Sequence, residues 1–232
     1  MPLPASALPS TDAPADTSEV VSADSAVSAA SAGTTGAEKR RRPKPGERRV
    51  QILQTLASML ETSGAERVTT AALAARLEVS EAALYRHFAS KAQMFEGLIE
   101  FIETSIFTLL AQISEREGSG LAQSQKIVAV LLQFGERNPG MTRVMVGDAL
   151  VYENERLILR MNQFFDRVES TLRQCLRHAA EDLGSATPTV HANAQASVLV
   201  SFIIGRLQRY ARSGFKRMPT EQLDVALRLL AS

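Results

Sequence analysis

The sequence lacks several features that would each indicate a particular class of protein. Its 232 residues include one cysteine, Cys175, so no internal disulfide can form and a reducing cytoplasm is expected. Charged or polar residues break the longest apolar runs within about ten positions, too short for a membrane span. The N-terminus has neither a basic region nor a compact apolar stretch, so we expect no secretory signal. No β-type alternation is present, and an all-α fold is predicted.

The residue patterns of an enzyme are also missing. No Gly-rich phosphate loop follows a strand, and no nucleophile stands beside a base and a group that orients it. Cys175 and His178 have a spacing that suits a metal on one helix, but a site needs three or four ligands. His87 and His191 lie in other elements. We therefore expect no enzymatic activity, no metal and no cofactor.

Charge is distributed unevenly, although the whole chain carries a net charge of +1. Residues 1–37 contain four acidic residues and no Lys or Arg, a net −4. Such a segment, rich in Ala, Ser, Thr and Pro, buries too little apolar surface to offset its ordering entropy, so we expect disorder. Residues 38–49 carry seven Lys and Arg against two Glu, a net +5. Within this arm, Arg40, Arg41 and Arg42 are predicted to contact phosphates or a minor groove.

Helical periodicity begins at residue 47 and divides the chain into three predicted parts. These are a disordered tail with a basic arm at 1–45, a first helical domain at 46–107 and a second helical domain at 108–232. The motifs below predict DNA binding for the first helical domain, and dimerisation and partner binding for the second.

One long helix is predicted to begin after Ser90, because Gln93 follows at the spacing of a capping box. Its pattern predicts that Phe101 and Leu109 point inward with the other apolar residues. Further helices are predicted over about 121–137, 141–152, 155–181, 189–214 and 219–231.

The segment from Thr69 to Phe88 has the pattern of a helix-turn-helix. Thr69 and Ser80 are good N-caps, and each opens a short helix. Ala74 is small where two helices must approach closely. The residues predicted to face inward from the two crossing helices are Leu73, Leu77, Val79, Leu84 and Phe88. Glu78 occupies the turn position where Gly is usual, at a cost of roughly 1 kcal/mol for a left-handed backbone.

A helix-turn-helix places its second helix in the major groove of double-stranded DNA. The residues predicted to lie nearest the base edges are Ser80, Glu81, Ala82 and Ala83. Alanine methyl groups suit thymine methyls, and the Glu81 carboxylate suits cytosine N4. Phosphate contacts position a protein without reading sequence. The residues predicted to make them are Thr69, Thr70, Tyr85, Arg86, His87 and Lys91.

Three short blocks resemble the TetR-type DNA-binding domain: Thr69-Thr70, Ala83-Leu-Tyr-Arg-His-Phe88 and Ser90-Lys91. The resemblance implies an all-helical homodimer whose C-terminal helices form the dimer interface and often a ligand pocket. A dimer in turn fits a palindromic DNA site with half-sites about one helical turn apart.

Other blocks resemble the nucleoid occlusion proteins within that family, over roughly residues 48–230. The blocks lie at 80–88, 98–103, 134–140, 161–169 and 215–220. Phe134-Gly-Glu-Arg-Asn-Pro-Gly140 is the most specific, because TetR-type repressors at large do not share it. The resemblance implies a cytoplasmic, nucleoid-associated protein that binds the tail of the division protein FtsZ and breaks up its polymers.

A peptide site is predicted from Phe101 on the long helix with Phe134, Arg137 and Asn138 on the next. An apolar groove with an arginine at its rim suits a short peptide with apolar anchors and an acidic side chain. The alternative from the residues alone is that both aromatic side chains belong to the core and Arg137 is a solvated charge at a helix end.

The predicted dimer interface consists of Leu199, Phe202, Ile203, Leu207, Tyr210, Leu223 and Leu227. Two copies of these helices would form a four-helix bundle, and the alternative is that the same residues form the core of one chain. Two functions follow from the sequence: a DNA-bound inhibitor of division that acts on FtsZ, and a repressor controlled by a ligand in a C-terminal pocket.

Overall fold

The computed structural model describes residues 46–62 and 68–230, and all regular structure in those ranges is helical. The helices are α1 (Glu47–Leu60), α2 (Thr70–Arg76), α3 (Glu81–Tyr85), α4 (Lys91–Arg116), α5 (Gly120–Arg137), α6 (Pro139–Met145), α7 (Glu155–Asp182), α8 (Pro188–Arg212) and α9 (Leu223–Leu230), with a 3-10 turn at Asp148–Leu150. Arg40, Arg41 and Arg42 and the acidic segment lie outside the described residues.

Local hydrogen bonds explain where several helices begin. The Ser90 Oγ accepts from the Gln93 N–H at 3.2 Å, and the Gln93 Oε1 accepts from the Ala89 N–H at 2.6 Å. The predicted capping arrangement at the start of α4 is therefore confirmed, with the return bond made one residue before the cap. Pro139 and Pro188 open α6 and α8, where a missing N–H costs nothing.

The core is one continuous cluster of aliphatic and aromatic side chains between the long helices. Helix α5 approaches α7 closely at Gly120, where a Cβ atom would lie 2.2 Å from the Cys175 carbonyl oxygen. Helix α6 approaches α1 equally closely, since a Cβ on Gly140 would lie 2.1 Å from the Ala57 oxygen. The second contact joins the helix that precedes the helix-turn-helix to the C-terminal helices.

The sequence pattern misplaced two side chains of α4. Phe101 and Leu109 were predicted to point inward, but they are 48% and 37% exposed. Ile102, Ile106 and Leu110 take the buried face instead. These three are spaced four residues apart, so they share one side of the helix. Phe101 comes one residue before Ile102, and Leu109 comes one residue before Leu110. One residue corresponds to a rotation of about 100° around the helix axis.

Some predicted helices are shorter in the structure because the backbone turns left-handed at their ends. The predicted helix 141–152 stops at Met145, and Gly147 has φ 83°. The final helix begins at Leu223 instead of 219, after Gln222 with φ 52°. A single left-handed residue ends the hydrogen-bonding pattern of an α-helix.

Candidate nucleic-acid and partner interfaces

Helices α2 and α3 form the predicted helix-turn-helix, and both begin as expected. The Thr69 Oγ1 accepts from the Ala72 N–H at 3.1 Å, and the Ser80 Oγ accepts from the Ala83 N–H at 3.3 Å. Leu73 and Ala74 on α2 are buried, as are Leu84 and Phe88 in and after α3. These contacts fix the angle between the two helices, and with it the direction in which the exposed side of α3 faces.

The turn between α2 and α3 passes through Glu78, whose φ is 53°. The left-handed conformation predicted for this position is therefore confirmed. The Glu78 N–H donates to the Ala75 oxygen at 3.1 Å, and the Val79 N–H donates to the Ala74 oxygen at 3.0 Å. This paired arrangement satisfies the last carbonyls of α2 and offsets part of the cost of the left-handed residue.

Helix α3 has only five residues, so the predicted span to Phe88 divides into a helix and a following turn. Among the predicted base-reading residues, Ser80, Glu81 and Ala82 are exposed and Ala83 is half-buried. Tyr85, with 46% of its surface exposed, follows at the end of the helix. Arg86 and His87 in the turn are also exposed.

Thr70 and Glu81 form a hydrogen bond across the helix-turn-helix. The Thr70 Oγ1 donates to the Glu81 Oε2 at 2.6 Å, which joins the first residues of α2 and α3. One carboxylate oxygen is thereby occupied within the protein. A base contact by Glu81 would therefore use the other oxygen, with the side chain already held in place.

Lys91 is less free than its predicted role as a phosphate contact requires. Its Nζ lies 2.5 Å from the Glu153 Oε1, and the two side chains are only 17% and 7% exposed. The ammonium also lies 5.6 Å from the centre of the Phe95 ring. A phosphate contact by Lys91 would have to replace a largely desolvated ion pair.

Arg49, at the start of α1, contacts the helix-turn-helix in a way that the sequence did not suggest. Its guanidinium lies 4.2 Å from the centre of the Phe88 ring, and its Nη1 donates to the His87 oxygen at 3.0 Å. The sequence identified only a basic segment in this region. The 38-residue separation between Arg49 and His87 leaves no local signal of the contact.

The predicted partner site lies between α4 and α5, and the structure brings its aromatic residues together. The Phe101 and Phe134 ring centres are 6.4 Å apart, with the planes tilted by 38°. Phe101 is 48% exposed, so the alternative that it belongs to the core does not hold. Arg137 is exposed at the end of α5, and the Asn138 Nδ2 donates to the Phe134 oxygen at 2.8 Å.

The block Phe134–Gly140 also forms a joint between helices. A Cβ on Gly135 would lie 2.4 Å from the Leu207 Cδ2, and Gly140 contacts α1 as described above. The Glu136 carboxylate accepts from the Thr220 hydroxyl, and its backbone oxygen accepts from the Tyr210 hydroxyl at 3.0 Å. Within this block the sequence predicted a partner-binding role for Phe134, Arg137 and Asn138, and it did not reveal the packing of the glycines.

Two ionisable groups near this joint have raised pKa values. Burial raises the pKa of the Tyr210 phenol, and the nearby Glu136 and Glu61 carboxylates raise it further. Burial also raises the pKa of Glu61, at the end of α1.

Cys175 is buried, which raises the pKa of its thiol and makes it a poor nucleophile.

The residues predicted for the dimer interface are placed differently by the structure. The members that are buried within the single chain are Leu199, Ile203, Leu207, Tyr210, Leu223 and Leu227. Phe202 is half-buried. Leu199, Ile203 and Leu207 are wholly covered by their own chain, which favours the alternative that these residues form the core of one chain. A helical apolar stripe does not reveal whether its neighbour is the same chain or a second copy.

A different side of α8 is exposed, and it is apolar or small. It includes Val190 and Val198, 64% and 48% exposed, and Ser201. A Cβ added at Gly205 would meet no atom within 4 Å. We call Val190, Val198, Ser201 and Gly205 the exposed α8 face.

Known structures share this fold. The regulator FadR from Bacillus subtilis, solved with stearoyl-CoA, aligns over 79% of this chain and 97% of its own, with a TM-score of 0.63 and 13% identity. A TetR-like regulator from Rhodococcus aligns over 83% and 95%, with a TM-score of 0.63 and 20% identity. At these identities the likeness shows the fold alone.

The sequence comparisons are more specific. The family described as "Bacterial regulatory proteins, tetR family" matches residues 52–98, and "Tetracyclin repressor-like, C-terminal domain", of the SlmA-like type, matches residues 118–232. The fold and the helix-turn-helix thus define a DNA-binding regulator of the TetR type. The nucleoid occlusion factor SlmA of Photobacterium profundum is 50% identical over 82% of this chain and 96% of its own. That of Vibrio cholerae is 50% identical over 80% and 94%. The chain belongs to the SlmA family of TetR-type proteins.

None of the helices in the part of the chain that the structure describes is long and apolar enough to cross a membrane.

Proposed function

We propose that this protein is a nucleoid occlusion factor that binds palindromic chromosomal sites as a homodimer and disrupts FtsZ polymers over the nucleoid. The observation that carries the proposal is the contact between the exposed Phe101 and the half-buried Phe134, three residues before the exposed Arg137, on a chain with an intact helix-turn-helix. Relatives that share 50% sequence identity with this chain are named nucleoid occlusion factors, which supports the same function.

The DNA-binding part of the proposal rests on the exposed side of α3. Ser80, Glu81, Ala82 and Ala83 face the base edges, and Thr69, Thr70, Tyr85, Arg86 and His87 contact phosphates. Among the described residues, the helix-turn-helix itself carries two exposed arginines, Arg76 and Arg86. The basic arm that contains Arg40, Arg41 and Arg42 is therefore expected to supply much of the affinity that depends on salt.

The partner part rests on the surface where Phe101 of α4 meets Phe134 of α5. The ring centre of the exposed Phe101 lies 6.4 Å from that of the half-buried Phe134, so an apolar side chain of a peptide gains buried area against both rings. The Arg137 guanidinium, at the end of α5, suits an acidic side chain on the same peptide. Asn138 is held at the same end of α5 by its hydrogen bond to the Phe134 oxygen.

The homodimer is proposed to form through the exposed α8 face instead of the residues first predicted. A glycine inside a helix costs roughly 1 kcal/mol relative to alanine. Gly205 has no neighbour within its own chain that requires it, among the residues described. Close approach of α8 from a second copy explains both the glycine and the exposed valines on the same side.

Sedimentation of FtsZ polymers tests the proposal. Protein with cognate DNA should lower the pelleted FtsZ mass, and Phe101→Ala should lose this effect while it keeps DNA binding. Tyr152→Ala is the matched control, because Tyr152 is an exposed aromatic residue elsewhere, with 72% of its surface accessible. Unchanged polymer mass with the unmodified protein at saturating DNA would refute the proposed function.

A further inference from the structure

The hydrogen bond between Thr70 and Glu81 limits which bases the start of α3 can accept. Thr70 is the first residue of α2, and Glu81 is the first residue of α3. The bond runs from the Thr70 Oγ1 to the Glu81 Oε2 at 2.6 Å. It therefore holds a carboxylate at the end of α3 that is proposed to enter the major groove, and it leaves the Oε1 of that carboxylate for a base.

The Thr70 hydroxyl has a single proton, and Glu81 accepts it. A phosphate oxygen accepts hydrogen bonds and cannot donate them, so this hydroxyl cannot serve a phosphate and Glu81 at the same time. The phosphate contact proposed for Thr70 then uses its backbone N–H, which belongs to the first turn of α2 and has no partner within the helix. The Thr70 side chain is left to position Glu81.

The Glu81 carboxylate is exposed and carries an uncompensated charge. Within the ranges 46–62 and 68–230, its hydrogen-bonding partner is the Thr70 hydroxyl, and it forms no ion pair. A carboxylate that enters the major groove loses water and approaches phosphates. It therefore lowers the affinity for DNA unless a base donates a hydrogen bond to it. Its main effect is to exclude bases that have no donor to offer.

The other residues at the start of α3 discriminate less between bases. Ala82 and Ala83 present only methyl groups. The Ser80 Oγ accepts from the Ala83 N–H at 3.3 Å, and a serine hydroxyl can pair with either kind of base edge. Among these four residues, Glu81 is therefore the one whose hydrogen bonding selects a single kind of base edge.

Cytosine is the base that suits the Oε1 of Glu81 best. In the major groove, cytosine presents its N4 amino group as a donor, whereas guanine presents two acceptors, N7 and O6, and thymine presents the acceptor O4. Adenine has a donor at N6, but the N7 acceptor beside it repels a carboxylate. The expected order is therefore cytosine first and adenine second, with guanine and thymine excluded.

On the basis of the DNA binding proposed above, we propose that Thr70 is a positioning residue for base recognition, which holds Glu81 so that its Oε1 selects cytosine at one position of each half-site. The Thr70 bond orders the Glu81 side chain before DNA arrives, so less conformational entropy is lost when the correct base binds. Thr70 thus contributes to specificity without contacting a base.

Selection from a random pool of double-stranded DNA tests the inference with the full-length protein. The wild-type protein should enrich a palindromic site that has cytosine at one fixed position of each half. Replacing this cytosine by thymine or guanine in a labelled duplex should weaken binding at least about tenfold in fluorescence anisotropy, because a charge-assisted contact is lost and a repulsive one is gained. Glu81→Ala should remove the preference at that position alone and should strengthen binding to non-specific DNA.

Further variants separate positioning from direct contact. Glu81→Gln keeps the size of the side chain, but its amide both donates and accepts, so the discrimination between cytosine and thymine should fall to about twofold or less. Thr70→Val should lower this discrimination at least about threefold, and Thr70→Ser should retain it. In a Glu81→Ala protein, Thr70→Val should have no further effect on it. Thr171→Val is the matched control, because it removes a hydroxyl that donates to the Arg167 oxygen at 3.0 Å on α7.

The contrary results are distinct from one another. If wild type and Glu81→Ala select the same site, the inference is overturned and the proposed DNA binding stands. If Thr70→Val weakens the cytosine duplex and the thymine duplex equally, the hydroxyl contacts a phosphate and does not position Glu81. Full discrimination in Glu81→Gln would show that the carboxylate charge does not exclude bases. If the wild-type protein enriches no sequence at all, the proposed sequence-specific DNA binding fails, and this inference fails with it.

Discussion

The Nζ of Lys91 lies 2.5 Å from the Oε1 of Glu153, so the first residue of α4 is paired with the loop that precedes α7. A second pair joins α4 to α7, since the Arg160 guanidinium donates to both carboxylate oxygens of Glu103 at 3.2 and 2.5 Å. Helix α4 begins beside the helix-turn-helix and carries Phe101 on a later turn. Ion pairs with the α7 region therefore fix the helix that connects the proposed DNA and partner surfaces.

Lys91→Gln should destabilise the protein by about 3 kcal/mol, because it leaves a largely buried Glu153 carboxylate without this cation. Urea unfolding measures the change. Lys126→Gln is the control, since it breaks an exposed pair with Glu117 and should cost less than about 1 kcal/mol. The slope of log affinity for DNA against log salt should keep its wild-type value. A slope reduced by about one unit would show that Lys91 does contact a phosphate.

Thr69→Ala should weaken DNA binding and lower stability by about 1 kcal/mol, because α2 loses the oxygen that accepts from the Ala72 N–H. Thr69→Ser keeps that oxygen and should retain most of both properties. A mobility-shift assay and urea unfolding give the two readouts, and sedimentation velocity should show an unchanged dimer. A mobility shift of Thr69→Ala equal to wild type would contradict the assignment of α2.

Glu78→Gly should be more stable than Glu78→Ala by about 1 kcal/mol, because only glycine adopts the left-handed conformation at φ 53° without a steric cost. Comparing these two variants removes the Glu78 side chain from both, so the difference measures the backbone. Thermal or urea unfolding is sufficient. If the alanine variant is as stable as the glycine variant, the turn carries no strain.

Gly140→Ala should destabilise the protein by about 2 kcal/mol or more, since the new methyl group would overlap the Ala57 oxygen between α1 and α6. Gly118→Ala is the matched control, because a Cβ there meets nothing within 4 Å. The free energy of unfolding in urea distinguishes the two. Similar losses in both variants would mean that the close approach of α1 and α6 is not required.

Val198→Glu should convert the proposed homodimer to a monomer, because it places a charge in the centre of the exposed α8 face. Leu183→Glu introduces the same charge at a side chain that is 85% exposed outside this face and should leave the dimer intact. Sedimentation velocity gives the mass directly. A dimeric Val198→Glu variant with wild-type affinity would exclude this face as the interface.

Much of the fold could be predicted because its signals are local. The caps at Thr69 and Ser80, the left-handed Glu78 and the start of α4 each depend on residues within about four positions of one another. The sequence therefore predicted the helix-turn-helix and the all-helical class correctly. The ends of the later helices were less accurate, because one left-handed residue such as Gln222 ends or delays a helix without changing its apolar pattern.

The remaining features depend on contacts between residues distant in the sequence. Lys91 and Glu153 are 62 positions apart, so nothing near Lys91 indicates that its charge is occupied. The apolar stripe through Leu199 and Leu207 was correctly predicted as buried but assigned to the wrong neighbour. Periodicity shows that a helix has an apolar side, and only the packing of α8 against the rest of the chain shows what covers it.

Gly135 and Gly140 stand on either side of Arg137 and Asn138, and both lie where helices approach each other closely. Arg137 between them is exposed and makes no such contact. In this short block, the residue proposed to bind the peptide is therefore different from the glycines that allow the helices to pack. A library that varies residue 137 together with Phe101, and keeps both glycines, should yield proteins that fold and bind DNA normally but select other peptides. Peptide specificity could then be changed at this block without a change in the fold or in DNA binding.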